Sequence, residues 1–500
     1  MKGKIKKIVS LMLVFAMSAA LGACTTGGNE EGKEVTVKWV MAGPGELADS
    51  QKVWQAFNEK LQEYLPGITV EFDVYPRADY KQKVTLMQAA GEKMDIVNVY
   101  GLNYGDELRK GSFADITDII AEHGQDMYNE LPEALWDYMK YKDRIYAVPS
   151  YQQMSNSSGF MVPKALADKY LDKEALINDL RTNKTITSST LDIVESYLKN
   201  LKDNGEIGYG FNFWVDITGK GFDKIVDYYA IRQHDDKCKV ELLFETPEIK
   251  EYYARKADWY KKGYIRSDSL SAQDDQTGKE GGYVMWQETT GYKSGETASA
   301  KYGMEIECID YNPDNPYYIP TNYTAMGTAV ASSSDHKEEA VKVLNLINSE
   351  KGKELINMLV YGIEGDHYTV TGEDKIQTEY NGQVTSNERY GLYKWIVGNT
   401  KYVYDTQTDL EGYKSWVFDE VNQSQNLSKL IGFVPDTSKI ATQLSQVLAV
   451  KGEYFSGLMS GALPDEEAVY NEFIDKLNKA GNQEIIAELQ RQIDEFLASK

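Results

Sequence analysis

The stretch "VTVKWVMAGPGELADSQKVWQAFNEKLQEYLPGITVEFDVYPRADYKQKVTLMQAAGEKMDIVNVY", residues 35–100, decides the fold class of this chain. Residues 35–41 and 94–100 are short apolar runs, and residues 68–74 alternate between apolar and polar side chains, which together predict three strands. Between them, residues 50–65 and 79–92 place apolar side chains at helical spacing. Strands and helices that alternate in this way are typical of a parallel sheet with helices packed on its faces, so we predict an α/β fold.

The same pattern predicts where a ligand would bind. Open α/β sheets bind ligands beyond the carboxyl ends of their strands, where the strand order reverses. The loops after the first and third predicted strands are residues 43–46 and 98–105. Glu46 and Asn103 are the candidate ligand contacts on these loops, and a solvated loop position is the alternative for each.

The N-terminal residues have the three parts of a secretory signal peptide. Four lysines within residues 2–7 precede a mostly apolar run, residues 8–23, which is shorter than the roughly 20 residues of a spanning helix. The tetrapeptide Leu21-Gly22-Ala23-Cys24 resembles the lipobox of bacterial lipoproteins, which implies cleavage before Cys24 and acylation of its sulfur. We therefore expect a signal peptide at 1–23 and a flexible tether at 24–34, with an uncleaved signal anchor as the alternative.

Length and charge exclude several classes of partner. The formal net charge is −23 at pH 7, which disfavours binding to nucleic acid or to anionic lipid headgroups. No later apolar run is long enough to span a bilayer, so we expect membrane contact through the lipid anchor only. The chain is longer than a single core usually serves, which predicts two lobes.

The sequence contains no common catalytic motif. It has no G-x-S-x-G elbow, no phosphate-binding loop and no H-E-x-x-H. The four histidines are too widely spaced for a zinc site, and the acidic stretch at 405–411 departs from the spacing of a calcium loop. We expect no enzymatic activity, no metal and no cofactor. Cys238 and Cys308 are interpreted either as a disulfide or as two separate thiols.

Aromatic residues near turns are the most informative candidates for a binding site. The chain has 36 Tyr and 8 Trp against 14 Phe. Sugar rings stack their C–H faces on such aromatic rings, while sugar hydroxyl groups bind amides, carboxylates and guanidinium groups. A core position is the alternative for each tryptophan. The candidate contacts of this type are Gln152, Gln153, Trp214, Tyr283, Trp286, Asn322, Tyr323, Arg389 and Trp395.

Several segments, taken in order, resemble the extracellular solute-binding proteins of bacterial ABC importers, in the family 1 type that includes maltose-binding proteins. They include "WQAFNEKL" (54–61), "DYKQKVTLMQAAGEKMDIVNV" (79–99), "IYAVPSYQQ" (145–153) and "ETPEIKEYYARKADWYKKGYI" (245–265). The C-terminal part looks like the LipO-type subfamily with a DUF3502-type region. The resemblance implies a two-lobed, type II periplasmic-binding-protein-like fold, with parallel-type sheets flanked by helices and a hinge between the lobes.

The resemblance also implies domain boundaries and a function. The first lobe would comprise 33–150 plus 328–400, and the second lobe 151–327 plus 401–500. Tyr151, Gln152 and Gln153 would then leave the first crossover facing the cleft, and Asn322 and Tyr323 would approach a second. The implied protein is a monomer, lipid-anchored on the extracellular face of the cell membrane, that captures a sugar or oligosaccharide and delivers it to a permease. A peptide or other polar solute, or a cell-surface glycoside hydrolase, are the alternatives.

Overall fold

The computed structural model describes residues 34–154, 157–206, 210–211, 216–271, 283–314, 327–378, 389–423 and 428–499. In that part of the chain, no helix combines the length and the apolar character needed to cross a membrane. The strands, in chain order, are β1 (Val35–Gly43), β2 (Ile68–Pro76), β3 (Ile96–Asn98), β4 (Lys140–Tyr141), β5 (Arg144–Ile145), β6 (Ala147–Pro149), β7 (Ser157–Pro163), β8 (Gly210–Phe211), β9 (Phe222–Val226), β10 (Tyr229–Arg232), β11 (Glu241–Leu242), β12 (Tyr283–Thr290), β13 (Ile306–Asp310), β14 (Gly327–Val330), β15 (Tyr368–Gly372) and β16 (Lys375–Thr378).

The α-helices of the described residues alternate with these strands in the first part of the chain and dominate its end. In chain order they are α1 (Ser50–Leu61), α2 (Arg77–Ala90), α3 (Tyr104–Lys110), α4 (Thr117–His123), α5 (Gln125–Glu130), α6 (Glu133–Tyr138), α7 (Lys164–Tyr170), α8 (Lys173–Thr182), α9 (Ser188–Asp203), α10 (Pro247–Lys261), α11 (Ser294–Tyr302), α12 (Lys337–Ile347), α13 (Lys353–Tyr361), α14 (Lys394–Val397), α15 (Tyr413–Ser415), α16 (Ala441–Ser460), α17 (Glu466–Lys479) and α18 (Asn482–Ser499).

The first lobe is built on a five-stranded sheet in the order β2-β1-β3-β14-β6. β1 pairs in parallel with β2 and with β3, as the βαβαβ pattern predicts. β14 returns from the second lobe and runs antiparallel to both β3 and β6. The carboxyl ends of β1, β2 and β3 therefore share one edge of the sheet, which is where the predicted ligand loops begin.

The second lobe is built on a sheet in the order β13-β7-β12-β8, and it departs from the expected parallel type. β7 runs antiparallel to both β12 and β13. The reason is connectivity: α11 links β12 to β13, so these two strands run in the same direction, and β7 enters between them from the first lobe. A separate three-stranded antiparallel sheet, β11-β10-β9, packs beside it.

Each lobe has its own hydrophobic core, and the residues of these two cores place the lobe boundaries differently from the expectation at two positions. Tyr151 and Met154 belong to the first core, although residues from 151 onward were assigned to the second lobe. Val403, Phe418 and Val421 also belong to the first core, although residues 401–500 were assigned to the second. The physical reason is that aromatic rings from the two segments pack against each other and bury their surface. The Tyr151 and Phe418 rings meet edge to face at 4.9 Å between centroids.

The chain crosses between the cores again at residues 428–440. Leu430 is buried in the second core, whereas its neighbour Ile431 is buried in the first. Gly432 follows with a φ of 81°, and a Cβ at this position would lie 2.8 Å from the Asp137 backbone oxygen. The close turn at Gly432 therefore requires glycine. Helices α16, α17 and α18 then complete the second core.

The two cysteines of the described residues are free thiols. Cys238 is buried in the second core, and Cys308 packs against a small separate cluster beside β12. Of the two interpretations open from the sequence, the structure has the separate thiols.

Candidate functional site

The first crossing between the lobes, residues 150–154, is tied to the first lobe on two sides. The Ser150 hydroxyl group donates to the Trp395 backbone carbonyl at 3.0 Å. The Asn422 amide donates to the Gln152 carbonyl at 2.8 Å and accepts from the Met154 N–H at 2.9 Å. These side-chain contacts hold the crossing between the segments that carry Trp395 and Asn422.

The first aromatic cluster, Tyr100, Tyr393 and Trp395, lies at the carboxyl edge of the first sheet. Its ring centroids are 5.5 Å apart for Tyr100 and Trp395 and 5.6 Å apart for Tyr393 and Trp395. The Arg77 guanidinium group, just beyond β2, lies 4.7 Å from the centroid of Tyr393. All three rings are half-buried, so each has one part in the core and another open to solvent or to a ligand.

The second aromatic cluster, Tyr292, Tyr413 and Trp416, joins the two lobes. Tyr292 follows β12 of the second lobe, and its ring centroid lies 5.5 Å from Trp416 and 6.3 Å from Tyr413. Its hydroxyl group donates to the Glu411 carbonyl at 2.9 Å. The Tyr413 hydroxyl group donates to the side-chain oxygen of Gln153 at 3.1 Å. The cluster is thus connected directly to the first crossing.

This second cluster was not predicted from the sequence, although the chain carries a signal for it. The tetrapeptide Gly-Tyr-Lys-Ser occurs at 291–294 and again at 412–415, and its two tyrosines are the ones that meet. Gly412 has a φ of 84°, and a Cβ there would lie 2.4 Å from the Tyr292 hydroxyl oxygen. Glycine at 412 therefore permits the two copies to approach.

A cavity of about 690 Å³ opens beside the second aromatic cluster. This volume is in the range of small-molecule sites in proteins. The second lobe contributes the end of β12 and helix α11, the first contributes Thr408–Leu410, and Gln153 comes from the crossing. Both lobes and the segment that joins them therefore line the same cavity.

A buried lysine supports the edge of the second sheet next to the crossing. Asp310, at the end of β13, accepts a hydrogen bond from Ser157 at 2.6 Å and another from Thr290. Behind it, the Lys220 ammonium group donates to the Tyr311 backbone carbonyl. Lys220 is only 3% exposed, and this burial lowers its pKa from the usual 10.5 to about 8, partly opposed by the charge of Asp310.

Comparison with known proteins gives the family. The family model described as bacterial extracellular solute-binding protein matches residues 44–354, more than half of the chain. The chain belongs to the bacterial extracellular solute-binding protein family. Residues 429–498 of this solute-binding protein also match the domain of unknown function DUF3502. Both matches confirm the resemblance found in the sequence.

Two relatives show how far the similarity extends. A carbohydrate ABC transporter substrate-binding protein of Streptococcus pneumoniae serotype 4 is 25% identical, covering 97% of this chain and 97% of its own length. The crystal structure of an N-glycan transport solute binding protein from Streptococcus pneumoniae is 22% identical, covering 93% of this chain and 99% of that one, with a TM-score of 0.73.

An HMO-binding solute-binding protein of an ABC transporter from Bifidobacterium longum infantis is a more distant match. It is 15% identical and covers 93% of this chain and all of its own chain, with a TM-score of 0.59. These structural similarities confirm the expected two-lobed α/β fold of the solute-binding protein.

Two of the ring positions predicted from the sequence are buried under α11 of the solute-binding protein. Tyr283 and Trp286 are 4% and 5% exposed and form part of a small core. Tyr151 is likewise buried. The structure therefore corrects the expectation that these three rings face a ligand.

By contrast, Trp395 lies in the first aromatic cluster and Gln153 lines the cavity. The Gln152 amide lies beside them, 3.5 Å from the Trp395 carbonyl oxygen.

The two loop candidates occupy the predicted loops but have local partners. Glu46 is exposed and accepts a hydrogen bond from the Gln51 amide at 2.8 Å. The Asn103 side chain caps α3 by accepting from the Asp106 N–H at 3.0 Å. Asn103 also lines a second cavity of about 250 Å³ between α3 and β9. Ligand contact by either residue stays a prediction.

Arg389 belongs to a network of charges rather than to an open site. Its guanidinium group contacts Asp49 at 2.9 Å and Asp366 at 2.7 Å. The carboxylates of Asp49 and Asp366 lie close to His367 in an arrangement that could hold a metal ion. Lys52 also pairs with Asp366, and its hydrogen bond together with that of Arg389 holds the pKa of Asp366 well below its usual value. Because protein cations already occupy these carboxylates, we interpret the group as a salt-bridge network.

The remaining candidates lie outside the described residues. They are Cys24, Trp214, Asn322 and Tyr323. Their roles stay predictions from the sequence.

Proposed function

We propose that this protein is the extracellular solute-binding component of an ABC importer that captures a sugar or oligosaccharide between its lobes and delivers it to a membrane permease. The observation that carries the proposal is the pair of half-buried aromatic clusters on either side of the first crossing, with a cavity between the lobes. The relative named as a carbohydrate ABC transporter substrate-binding protein supports the class of ligand.

The chemistry of the site suits a sugar. Trp395 in the first cluster and Trp416 in the second offer apolar ring faces to the C–H faces of a sugar. Gln152 and Gln153 lie between them on the crossing and supply amide donors and acceptors for hydroxyl groups. A ligand that contacts both clusters would touch both lobes, because Tyr292 comes from the second lobe. Binding would then favour the arrangement in which the lobes are close together.

We propose binding without chemical conversion. A glycoside hydrolase needs a carboxylic acid whose pKa is raised so that it can donate a proton. Burial alone would raise the pKa of Glu288, but hydrogen bonds from Lys301 and Tyr302 bring it below its usual value. The pKa of Asp409 is likewise lowered, because the Lys394 charge and Thr406 hydrogen bonds outweigh its burial. Glu288 and Asp409 are therefore suited to accept hydrogen bonds rather than to donate protons.

The proposal includes a lipid anchor at Cys24, outside the described residues. Two or more acyl chains give durable membrane attachment, where one is marginal. Cys24→Ala should leave sugar binding unchanged while releasing the protein from the membrane, measured by cell fractionation and immunoblotting. Continued membrane retention of the variant would overturn the anchor.

Binding of purified protein to a panel of neutral oligosaccharides tests the ligand class. We expect saturable changes in tryptophan fluorescence and a concentration-dependent rise in Tm, because ligand that binds only the folded state stabilises it. Release of reducing ends over time would instead indicate a hydrolase. If no sugar changes either signal while a peptide library does, the carbohydrate assignment fails.

A further inference from the structure

Glu288 is placed by β12 at the border between a buried aromatic group and the cavity. In this strand, Trp286 and Glu288 lie on the same face, since side chains alternate with a period of two. Trp286 is buried and packs edge to face with Tyr302 of α11 at 5.1 Å between centroids. Glu288 is the next residue on that face, and it lines the cavity. Its side chain is 25% exposed.

All the hydrogen bonds that described residues donate to the Glu288 carboxylate go to one of its two oxygens. Oε1 accepts from the Lys301 ammonium group at 2.8 Å, from the Trp286 indole at 3.3 Å and from the Tyr302 hydroxyl group. No described residue donates to Oε2. The carboxylate is thus held in one orientation by three side chains, and an ionised carboxylate can accept about four hydrogen bonds. Oε2 is available to accept from a ligand hydroxyl group.

The charges around the cavity favour an uncharged ligand. Its charged lining side chains in the described residues are Glu288, Glu296, Asp409 and Lys301. Lys301, the single cation among them, is already paired with Glu288 at 2.8 Å. An anionic group entering here would meet three carboxylates whose lysine partners, Lys301, Lys394 and Lys293, are already engaged. Like charges brought together in this way suppress unwanted partners. A hydroxyl group would instead donate to the carboxylate.

We propose that Glu288 is a specificity-determining residue that accepts a hydrogen bond from a hydroxyl group of a neutral sugar and rejects sugars carrying a carboxylate. Trp286, Lys301 and Tyr302 are positioning residues that hold its orientation. This inference rests on the proposed function, since it assigns a role within the same binding site.

A matched pair of ligands tests the assignment. The probes are the neutral oligosaccharide that binds most tightly in the panel and the same oligosaccharide oxidised to a uronic acid at one C6 position. We expect the wild-type protein to bind the neutral form at least tenfold more tightly, measured by isothermal titration calorimetry. Glu288→Gln should weaken neutral binding by about tenfold, the order expected for loss of a hydrogen bond to a charged group. It should also reduce the preference for the neutral form by at least fivefold.

Two further variants separate charge from geometry. Glu288→Asp keeps the charge but shortens the side chain, so it should lose neutral affinity and still reject the uronic acid. Glu305→Gln makes the same change of charge at an exposed side chain that is not part of the cavity lining, and it should leave neutral affinity within twofold. Tm measured without ligand confirms that each variant is folded.

The possible results are distinguishable. If the wild type binds no sugar, the proposed function fails and the assignment of Glu288 fails with it. If the wild type binds sugars but Glu288→Gln keeps both the affinity and the preference for the neutral form, only the Glu288 assignment is overturned. Equal wild-type binding of the two probes likewise overturns it.

Discussion

Raising the pH from 7 to 9 should remove a proton from Lys220 in the folded protein but leave it on the unfolded chain. The folded pKa is about 8 and the usual value is 10.5, so the unfolded state binds more protons throughout this interval. Stability rises with pH wherever that is so. From these two values the free energy of unfolding should rise by about 1.3 kcal/mol between pH 7 and pH 9 through this side chain alone.

The comparison with Lys220→Met isolates this contribution, because other groups that titrate in this interval are common to both proteins. Urea unfolding of wild type and variant at pH 7, 8 and 9 gives the difference in free energy of unfolding at each pH. At any one pH, the difference in free energy of unfolding also includes loss of the hydrogen bond to Tyr311. That loss does not change how the difference varies with pH. Lys199→Met is the control and should give a flat difference, because the hydrogen bond to Asp203 raises the pKa of this exposed lysine and it keeps its proton in both states over this interval. If the difference for Lys220→Met is also flat, or falls with pH, the burial argument is refuted.

Two other substitutions test the junction between the lobes. Tyr292→Ala should weaken sugar binding by about fivefold, the effect of losing roughly 1 kcal/mol of ring contact; calorimetry measures it, and Tyr292→Phe should retain most of the affinity. Gly432→Ala should lower the free energy of unfolding by about 1–2 kcal/mol, because a non-glycine residue is strained in the left-handed region and the new Cβ would meet the Asp137 oxygen at 2.8 Å. Gly452→Ala, inside α16 with open space around it, should instead stabilise by about 0.5–1 kcal/mol. Equal urea midpoints for the two glycine variants would contradict this reasoning.

The first three strands could be predicted because local and tertiary preferences agree there. In β2 the polar residues alternate with buried ones, and Pro66-Gly67 follows the first helix. The helix nevertheless ends at Leu61 rather than at residue 65. The reason is that the Gln62 side chain donates to the Ile68 carbonyl and accepts from the Gly67 N–H. A sequence pattern does not reveal this side-chain contact.

The site was only partly predictable, because burial of one strand face depends on another element. The pattern of β12 shows that Tyr283 and Trp286 lie near a turn, but it does not show that α11 covers them. The segment 401–423 was misassigned for a related reason. It contains short turns and a π-helical stretch at Trp416–Glu420 rather than a long periodic helix, so only its contacts show that it belongs to the first core.

The DUF3502 region cannot be a separate appendage of the solute-binding fold. It begins at residue 429, next to the pair Leu430 and Ile431 that is divided between the two cores. Its helices supply Leu444, Phe473 and Ile485 to the second core. Arg109 of α3 in the first lobe also contacts Asp436 at 3.4 Å. The crossing at residues 428–440 joins two separately packed cores within a few bonds. Any relative movement of the lobes therefore has to be accommodated there as well as at residues 150–154. The matched solute-binding segment therefore depends on the C-terminal region both for its second core and for the path along which the lobes can move.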